Sequence, residues 1–181
     1  MKSSSRSEIL NYLITPEVYD ELYREEQYLK YKCLLEVVGN ISGFILDAGC
    51  GTGLLYEYLS EHGFSRKLKY ICMDPSIEML LKAKTRIKSP LIILLESYAE
   101  EIPLRNSMFD YVFSISTWGV IGEKIKAIRE FKRVAKHGGV VVITGYPKTF
   151  TVKPTEINED YVELLQCIDY FYVARLRKEN V

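Results

Sequence analysis

Gly43-Phe44-Ile45-Leu46-Asp47-Ala48-Gly49-Cys50-Gly51-Thr52-Gly53 is the stretch that decides how the rest of the chain is read. Phe44, Ile45 and Leu46 form an apolar run suited to a buried strand. Asp47 follows, and then three glycines fall at alternate positions. Beyond them Leu54, Leu55, Tyr58 and Leu59 recur with helical spacing. A strand, a glycine turn and a helix N-terminus build a cradle in which a polar ligand meets bare backbone amides. Glycine permits both the positive φ and the close approach such a turn requires.

The spacing separates two kinds of ligand. The dinucleotide fingerprint G-x-G-x-x-G needs a third glycine where this chain has Leu54, and an acid stands two residues before the first glycine. Asp-x-Gly-x-Gly-x-Gly resembles motif I of the class I S-adenosylmethionine-dependent methyltransferases. The resemblance implies that Asp47, Ala48, Gly49, Cys50, Gly51 and Gly53 surround the methionine part of S-adenosyl-L-methionine. Asp47 would then hold its amino end.

Outward from this turn the chain alternates between strand and helix patterns. A helix is expected over 16–38, a strand over 43–48, a helix over 54–62 and a strand over 69–73. Ser76 can cap a helix over about 77–87. The unbroken apolar run 90–95 predicts a strand covered on both faces. A strand over 109–115, a helix over 122–136 and a strand over 139–145 follow. A last helix at about 157–167 and a strand over 170–175 close the chain. This order predicts an α/β fold with a doubly wound, mostly parallel sheet. The resemblance makes it a Rossmann-like, seven-stranded-type methyltransferase sheet with abbreviated C-terminal strands. Residues 1–15 are expected to be a flexible segment, and 16–181 a single methyltransferase-like domain.

Composition bounds the partners. The 181 residues carry 24 Lys and Arg against 24 Asp and Glu, so no global field favours polyanions or anionic membranes. No apolar run approaches the ~18 residues of a membrane span. The first seven residues have no apolar stretch behind them and do not read as a signal peptide. Cys33, Cys50, Cys72 and Cys167 form no C-x-x-C pair, and His62 and His137 are the only histidines, so no metal is expected. The cysteines are expected to be reduced, three of them as small buried hydrophobes, which with the lack of a targeting signal suggests a cytoplasmic protein. Scarce Gln beside plentiful Ile, Tyr, Glu and Lys leans toward a thermophile. Both histidines are expected in last helical turns, where the dipole and exposed carbonyls account for them.

The remaining candidates fall at predicted strand ends, where ligands bind in open α/β sheets. Asp74, before Pro75, can accept both ribose hydroxyls, or it can simply start the next helix. Tyr98-Ala99-Glu100-Glu101-Ile102-Pro103-Leu104 resembles the family's adenine loop, with Tyr98 where an Asp is common. Phe109 through Gly119 resembles the family's motif IV, where the strand end, from Ser114 on, lies beside the transferred methyl group. It has no Asn-Pro-Pro-Tyr to orient an amide or exocyclic amine. Trp118 there would line the acceptor pocket or cover the core edge. Tyr19 lies in a segment that, in the resemblance, closes over the cofactor. Tyr19 and Trp118 are thus the catalytic candidates, and no acid–base motif is visible. The implied activity is direct in-line methyl transfer. A small-molecule acceptor is favoured over RNA or protein, with a homodimer, a partner subunit or a non-catalytic regulatory role as alternatives.

Overall fold

The computed structural model describes residues 14–64, 68–87, 89, 91–158, 160–166 and 168–176. Of the segment expected to be flexible, residues 1–13 lie outside these. Thr15 caps the first helix, its hydroxyl accepting from the Val18 amide, and Pro16 occupies the first turn, where a missing N–H costs nothing.

Helix α1 (Pro16–Val38) leads into β1 (Gly43–Ala48), α2 (Leu54–Glu61), β2 (Leu68–Asp74), α3 (Ile77–Arg86) and β3 (Ile92–Glu96). Then come β4 (Phe109–Ser114), α4 (Lys124–Val134), β5 (Ala135–Gly145), the short α5 (Pro154–Ile157), β6 (Tyr161–Gln166) and β7 (Asp169–Arg175). The seven strands lie in the order β3-β2-β1-β4-β5-β7-β6. β1 to β5 pair in parallel, whereas β7 runs antiparallel to both β5 and β6. The order turns around between β1 and β4, and this switch point is where a parallel sheet leaves a crevice.

Two cores flank the sheet. Residues Leu34, Leu55, Leu59, Leu80 and Ala83 of α1, α2 and α3 pack on Ile45, Tyr70 and Cys72. On the other face Ile128, Phe131 and Val134 of α4 pack on Leu46, Val112 and Val141. Alternate residues of β1 thus enter opposite cores, as the twofold period of a strand requires.

Four expectations are corrected. Residues 161–166 are strand β6, and only Pro154–Ile157 of the region is helical. Ile157, Tyr161, Leu164 and Leu165 have helical spacing, but the hairpin with β7 takes both backbone ladders and leaves Val162 and Leu164 facing outward. β3 is an edge strand with Ile93 54% exposed, so it is not covered on both faces. α4 ends at Val134 and β5 begins at Ala135, which puts His137 on the strand and exposed rather than in a last helical turn. Finally, the three cysteines among the described residues are not reduced, and Cys167 lies outside them. Cys50 and Cys72 form a disulfide with their Cα atoms 5.3 Å apart, and Cys33 is disulfide-bonded as well. Register explains the first pair. Cys72 lies beside Asp47 in the ladder, and the turn at Gly49 folds Cys50 back so that its amide donates to Met73 O at 3.0 Å.

His62 behaves as expected, with Nδ1 2.8 Å from the Tyr58 carbonyl at the end of α2.

Candidate functional site

Each glycine of the turn answers to a different constraint. At Gly49 (φ 85°) a Cβ would lie 2.2 Å from Thr117 Cγ2, so the loop after β4 seats directly on this residue. At Gly53 (φ 80°) a Cβ would press on Ala83 of α3 at 3.2 Å. At Gly51 (φ 53°) a Cβ would meet nothing within 4 Å. The middle glycine therefore borders open space, while its neighbours are closed off by protein. Gly49 N and Cys50 N both donate to Met73 O, at 2.7 and 3.0 Å, fixing the loop to the end of β2.

Two buried acids flank this opening. Asp74 Oδ2 accepts from Gly51 N, and Oδ1 from Ser76 N, each at 2.9 Å. Each carboxylate oxygen has a further lone pair, so the two capping bonds leave room for two hydroxyl donors. Burial raises the Asp74 pKa, and the two amide bonds only partly offset this. Asp47 is 2% exposed and accepts from Tyr70 Oη at 2.6 Å. Burial pushes its pKa up to about 7, with Tyr70 pulling down and the Asp74 charge adding to the rise. A buried carboxyl held this high is short of a cation. The ammonium of S-adenosyl-L-methionine would supply one, and its ribose would supply the hydroxyls for Asp74. Glycine cradle, acids and opening thus fit that cofactor.

α1 roofs the cradle. Thr52 Oγ1 donates to Asp20 Oδ1 at 2.5 Å, Arg86 donates to both Asp20 and the Thr52 carbonyl, and Glu57 joins Arg86 and Arg24. This holds Tyr19 beside the site. Burial raises its hydroxyl pKa, as do the charges of Asp74, Asp20 and Glu26.

The other candidates are distributed unevenly. Ala48 and Ser114 are buried at the ends of β1 and β4, and the Ser114 hydroxyl bonds to that of Thr117. Pro75 is exposed at the start of α3. In the adenine-loop segment Ala99 is partly buried and Tyr98 is 62% exposed. The Glu100 carboxylate accepts from Gly122 N and Glu123 N at 2.8 and 3.1 Å, so it holds the turn that leads into α4. Trp118 is fully buried, donates to Val152 O at 2.8 Å and stacks on Phe150. It covers the core edge and does not line the opening.

A polar wall that sequence reasoning missed stands beside Tyr19. Gln27 Nε2 donates to Tyr19 Oη (3.3 Å) and Ser116 Oγ (3.2 Å), and Lys30 Nζ donates to Ser116 Oγ (3.0 Å). Lys30 also pairs with Glu26 at 2.7 Å and Asp169 at 3.3 Å, although it is 1% exposed. The available signal was a polar pair, Gln27 and Lys30, on the same helical face as Leu34.

An open cleft of about 440 Å³ lies at the opposite end of the sheet, lined by Lys132, Arg133, His137 and Asp160 among others. Its Lys132 is paired with Asp160 and its Arg133 with Glu130, so it adds nothing to the chemistry above.

Sheet order, glycine cradle and flanking acids define a class I S-adenosyl-L-methionine-dependent methyltransferase fold. Comparison with known proteins agrees. The methyltransferase-domain family model matches residues 46–143, more than half of the chain, and the chain belongs to that family. Malonyl-[acyl-carrier protein] O-methyltransferase of Hamiltonella defensa is 31% identical over 112 residues, covering 61% of this chain and 41% of that one. Ubiquinone/menaquinone biosynthesis C-methyltransferase UbiE of Campylobacter jejuni is 35% identical over 109 residues, covering 58% and 45%. The matches thus span less than half the length of these curated relatives. Among solved structures, a Methanococcus maripaludis protein assigned to the S-adenosyl-L-methionine-dependent methyltransferases superposes with a TM-score of 0.74 at 16% identity, covering 100% of this chain and 99% of that one. A Haloferax volcanii chain solved in complex with the Trm112 methyltransferase activator superposes at 0.73 with 11% identity, covering 97% and 100%. Among the described residues no helix is long and apolar enough to cross a membrane.

Proposed function

We propose that the chain, as one domain, transfers the methyl group of S-adenosyl-L-methionine to a small acceptor by in-line displacement. The observation that carries this is the open side of Gly51 between Asp47 and Asp74. It gives the cofactor a backbone-lined seat with one acid for its ammonium and one for its ribose. Ala48, Gly49, Cys50 and Gly53 shape the seat, Pro75 and Ser114 sit at the strand ends beside it, and Tyr98, Ala99 and Glu100 border the adenine side. Bound there, the cofactor supplies a methyl group on a sulfonium, a good leaving group, so the protein's task is alignment. Holding two reactants in line is worth about 7–11 kcal/mol. Tyr19 and the wall behind it close the methyl-donor side and exclude water.

A small acceptor is favoured over a polyanion because several cations on and just after α4 are already paired. Lys126, Lys132 and Arg133 of α4 pair with Glu123, Asp160 and Glu130, Lys136 at the start of β5 pairs with Asp110, and α4 lies on a sheet face away from the strand carboxyl ends. A cytoplasmic location agrees with the disulfides if the source is a thermophile, since disulfides persist inside hyperthermophile cells. Calorimetry with S-adenosylhomocysteine and with NAD tests the cofactor seat, and NAD binding alone would reject it. Filter binding of RNA across a salt series tests the acceptor class. Binding that persists at about 150 mM salt would promote an RNA substrate.

One observation favours a second copy or a partner subunit in addition. β3 is an open sheet edge with Leu91 72% and Ile93 54% exposed. An apolar edge of this kind is a template for strand pairing. Sedimentation of wild type against Ile93→Lys tests it. A monomer in both would remove the homodimer.

A further inference from the structure

The wall around Lys30 has a donor and acceptor balance that selects its ligand, and we propose that it recognises an acceptor carrying an amine. This rests on the methyl-transfer reading above and names the chemical class of the second substrate.

The accounting starts from Lys30. Its three N–H groups face Glu26 Oε1, Ser116 Oγ and Asp169 Oδ1 at 2.7, 3.0 and 3.3 Å. Ser116 Oγ is full as well. It accepts from Lys30 and Gln27 and donates to Asp169 Oδ2 at 3.4 Å. Thr144 Oγ1 accepts from Ser116 N at 2.9 Å and donates to Asp169 Oδ2 at 3.1 Å. Both N–H groups of Gln27 are taken by Tyr19 and Ser116. The Tyr146 hydroxyl bonds to Glu26, and its ring lies 4.5 Å from Lys30 Nζ.

What remains over is almost entirely acceptor. Gln27 Oε1 is buried without a hydrogen-bond partner in a residue only 4% exposed, and Asp169 Oδ1, in a residue 0% exposed, has only the Lys30 ammonium at 3.3 Å. A buried polar atom left unpaired is costly and marks a place where a ligand group is missing. The one uncommitted donor is the Tyr19 hydroxyl, and the charge it senses most strongly is Asp74, on the cofactor side. One lysine faces two carboxylates, so the wall carries a net charge of −1 when both are ionised.

A carboxylate or phosphate entering here would find the Tyr19 hydroxyl as its one free donor, and a like charge. An amine brings an N–H donor for the orphaned Gln27 Oε1, a second for the spare lone pair of Asp169 Oδ1, and a charge that complements Glu26. Glu26 keeps 27% of its side chain exposed and Tyr146 is 42% exposed, so these two form the approach. In the transfer, the bound ammonium would first lose one proton to Glu26 and thence to water, and the lone pair so freed on nitrogen would form the bond to the methyl carbon. The pair of the broken S–CH₃ bond stays on sulfur.

The test uses a matched pair of small probes, n-butylamine and butyrate, titrated into the protein saturated with S-adenosylhomocysteine. Calorimetry of S-adenosylhomocysteine alone comes first. Its failure would reject the cofactor seat and so is separate from the present proposal. With the complex formed, butylamine should bind at least tenfold tighter than butyrate. Glu26→Gln, at the half-exposed mouth, should weaken butylamine about threefold or more and leave S-adenosylhomocysteine binding unchanged. Tyr146→Phe, which keeps the ring, should retain amine binding. Butyrate binding as well as butylamine, neither probe binding, or a Glu26→Gln variant indifferent to the amine would overturn the assignment.

Discussion

The Asp74 carboxylate accepts the amide N–H of Gly51 at 2.9 Å, joining the end of the second strand to the middle of the glycine loop after the first. With its second oxygen on Ser76 N, Asp74 both starts α3 and holds the loop that borders the cofactor opening. The two readings weighed for this acid, helix start and ribose clamp, therefore involve different lone pairs of the same carboxylate. Asp74→Ala should remove two charge-assisted bonds to ribose, each worth about 1.5–3 kcal/mol. S-adenosylhomocysteine affinity should fall at least tenfold. Asp74→Asn, which keeps one oxygen, should fall in between. Calorimetry beside a thermal melt checks both, and an Ala variant that melts lower yet binds normally would leave Asp74 only its helix-starting role.

Gly49 and Gly51 should respond oppositely to substitution. A side chain at Gly49 collides with Thr117, 2.2 Å from where a Cβ would lie, at a φ of 85°. Gly49→Ala should therefore lower stability by a few kcal/mol, on the order expected for overpacking plus backbone strain. Gly51→Val places its bulk in open space at a φ of 53°, so its stability cost should be smaller while cofactor binding is lost. Melting curves and calorimetry on the two variants separate the effects. Normal binding by Gly51→Val would mean that the cofactor lies elsewhere.

The parts of the fold legible in the sequence were those set by local pattern. The strand at 43–48, the glycine turn and the Ser76 cap are short-range signals, and each recurs in the structure within a residue or two. What was not legible depends on neighbours distant in the chain. Residues 161–166 have helix-like spacing, and only pairing with β7 makes them a strand. The Cys50–Cys72 bond depends on the register that sets Asp47 beside Cys72. At the site, Asp47, Asp74 and the glycines could be named from the motif. Lys30 could not, because its counter-ion Asp169 lies 139 residues further on and its role exists only once β7 closes against α1.

The Cys50–Cys72 disulfide fastens the glycine loop to β2 across 22 residues of sequence. A cross-link closing a loop of that length constrains the unfolded chain by about 3 kcal/mol. Replacing both residues by Ala should cost about that much and lower the melting temperature by roughly 6–12 °C in a chain of this size. Mass spectrometry after alkylation without reductant should find both residues unmodified. Full alkylation of the denatured, unreduced protein would show that the bond does not form.

The Asp47 carboxyl, held at about 7 by burial, makes cofactor binding and stability respond to pH in opposite senses. An acid whose folded pKa lies above the unfolded 3.8 favours the folded state while protonated. Its contribution is complete below about pH 4 and is lost as pH rises through about 7. The unliganded protein should therefore lose part of its stability between pH 5 and 8. Cofactor affinity should rise over the upper half of that window, because the ionised carboxylate is the form that takes the cofactor's ammonium, which stays protonated throughout. Asp47→Asn should flatten both dependences and weaken S-adenosylhomocysteine most at pH 8. Calorimetry and melts at pH 5, 6, 7 and 8 on the two proteins provide the check. An affinity independent of pH in the wild type, or a slope that survives in Asp47→Asn, would remove Asp47 as the ammonium's partner.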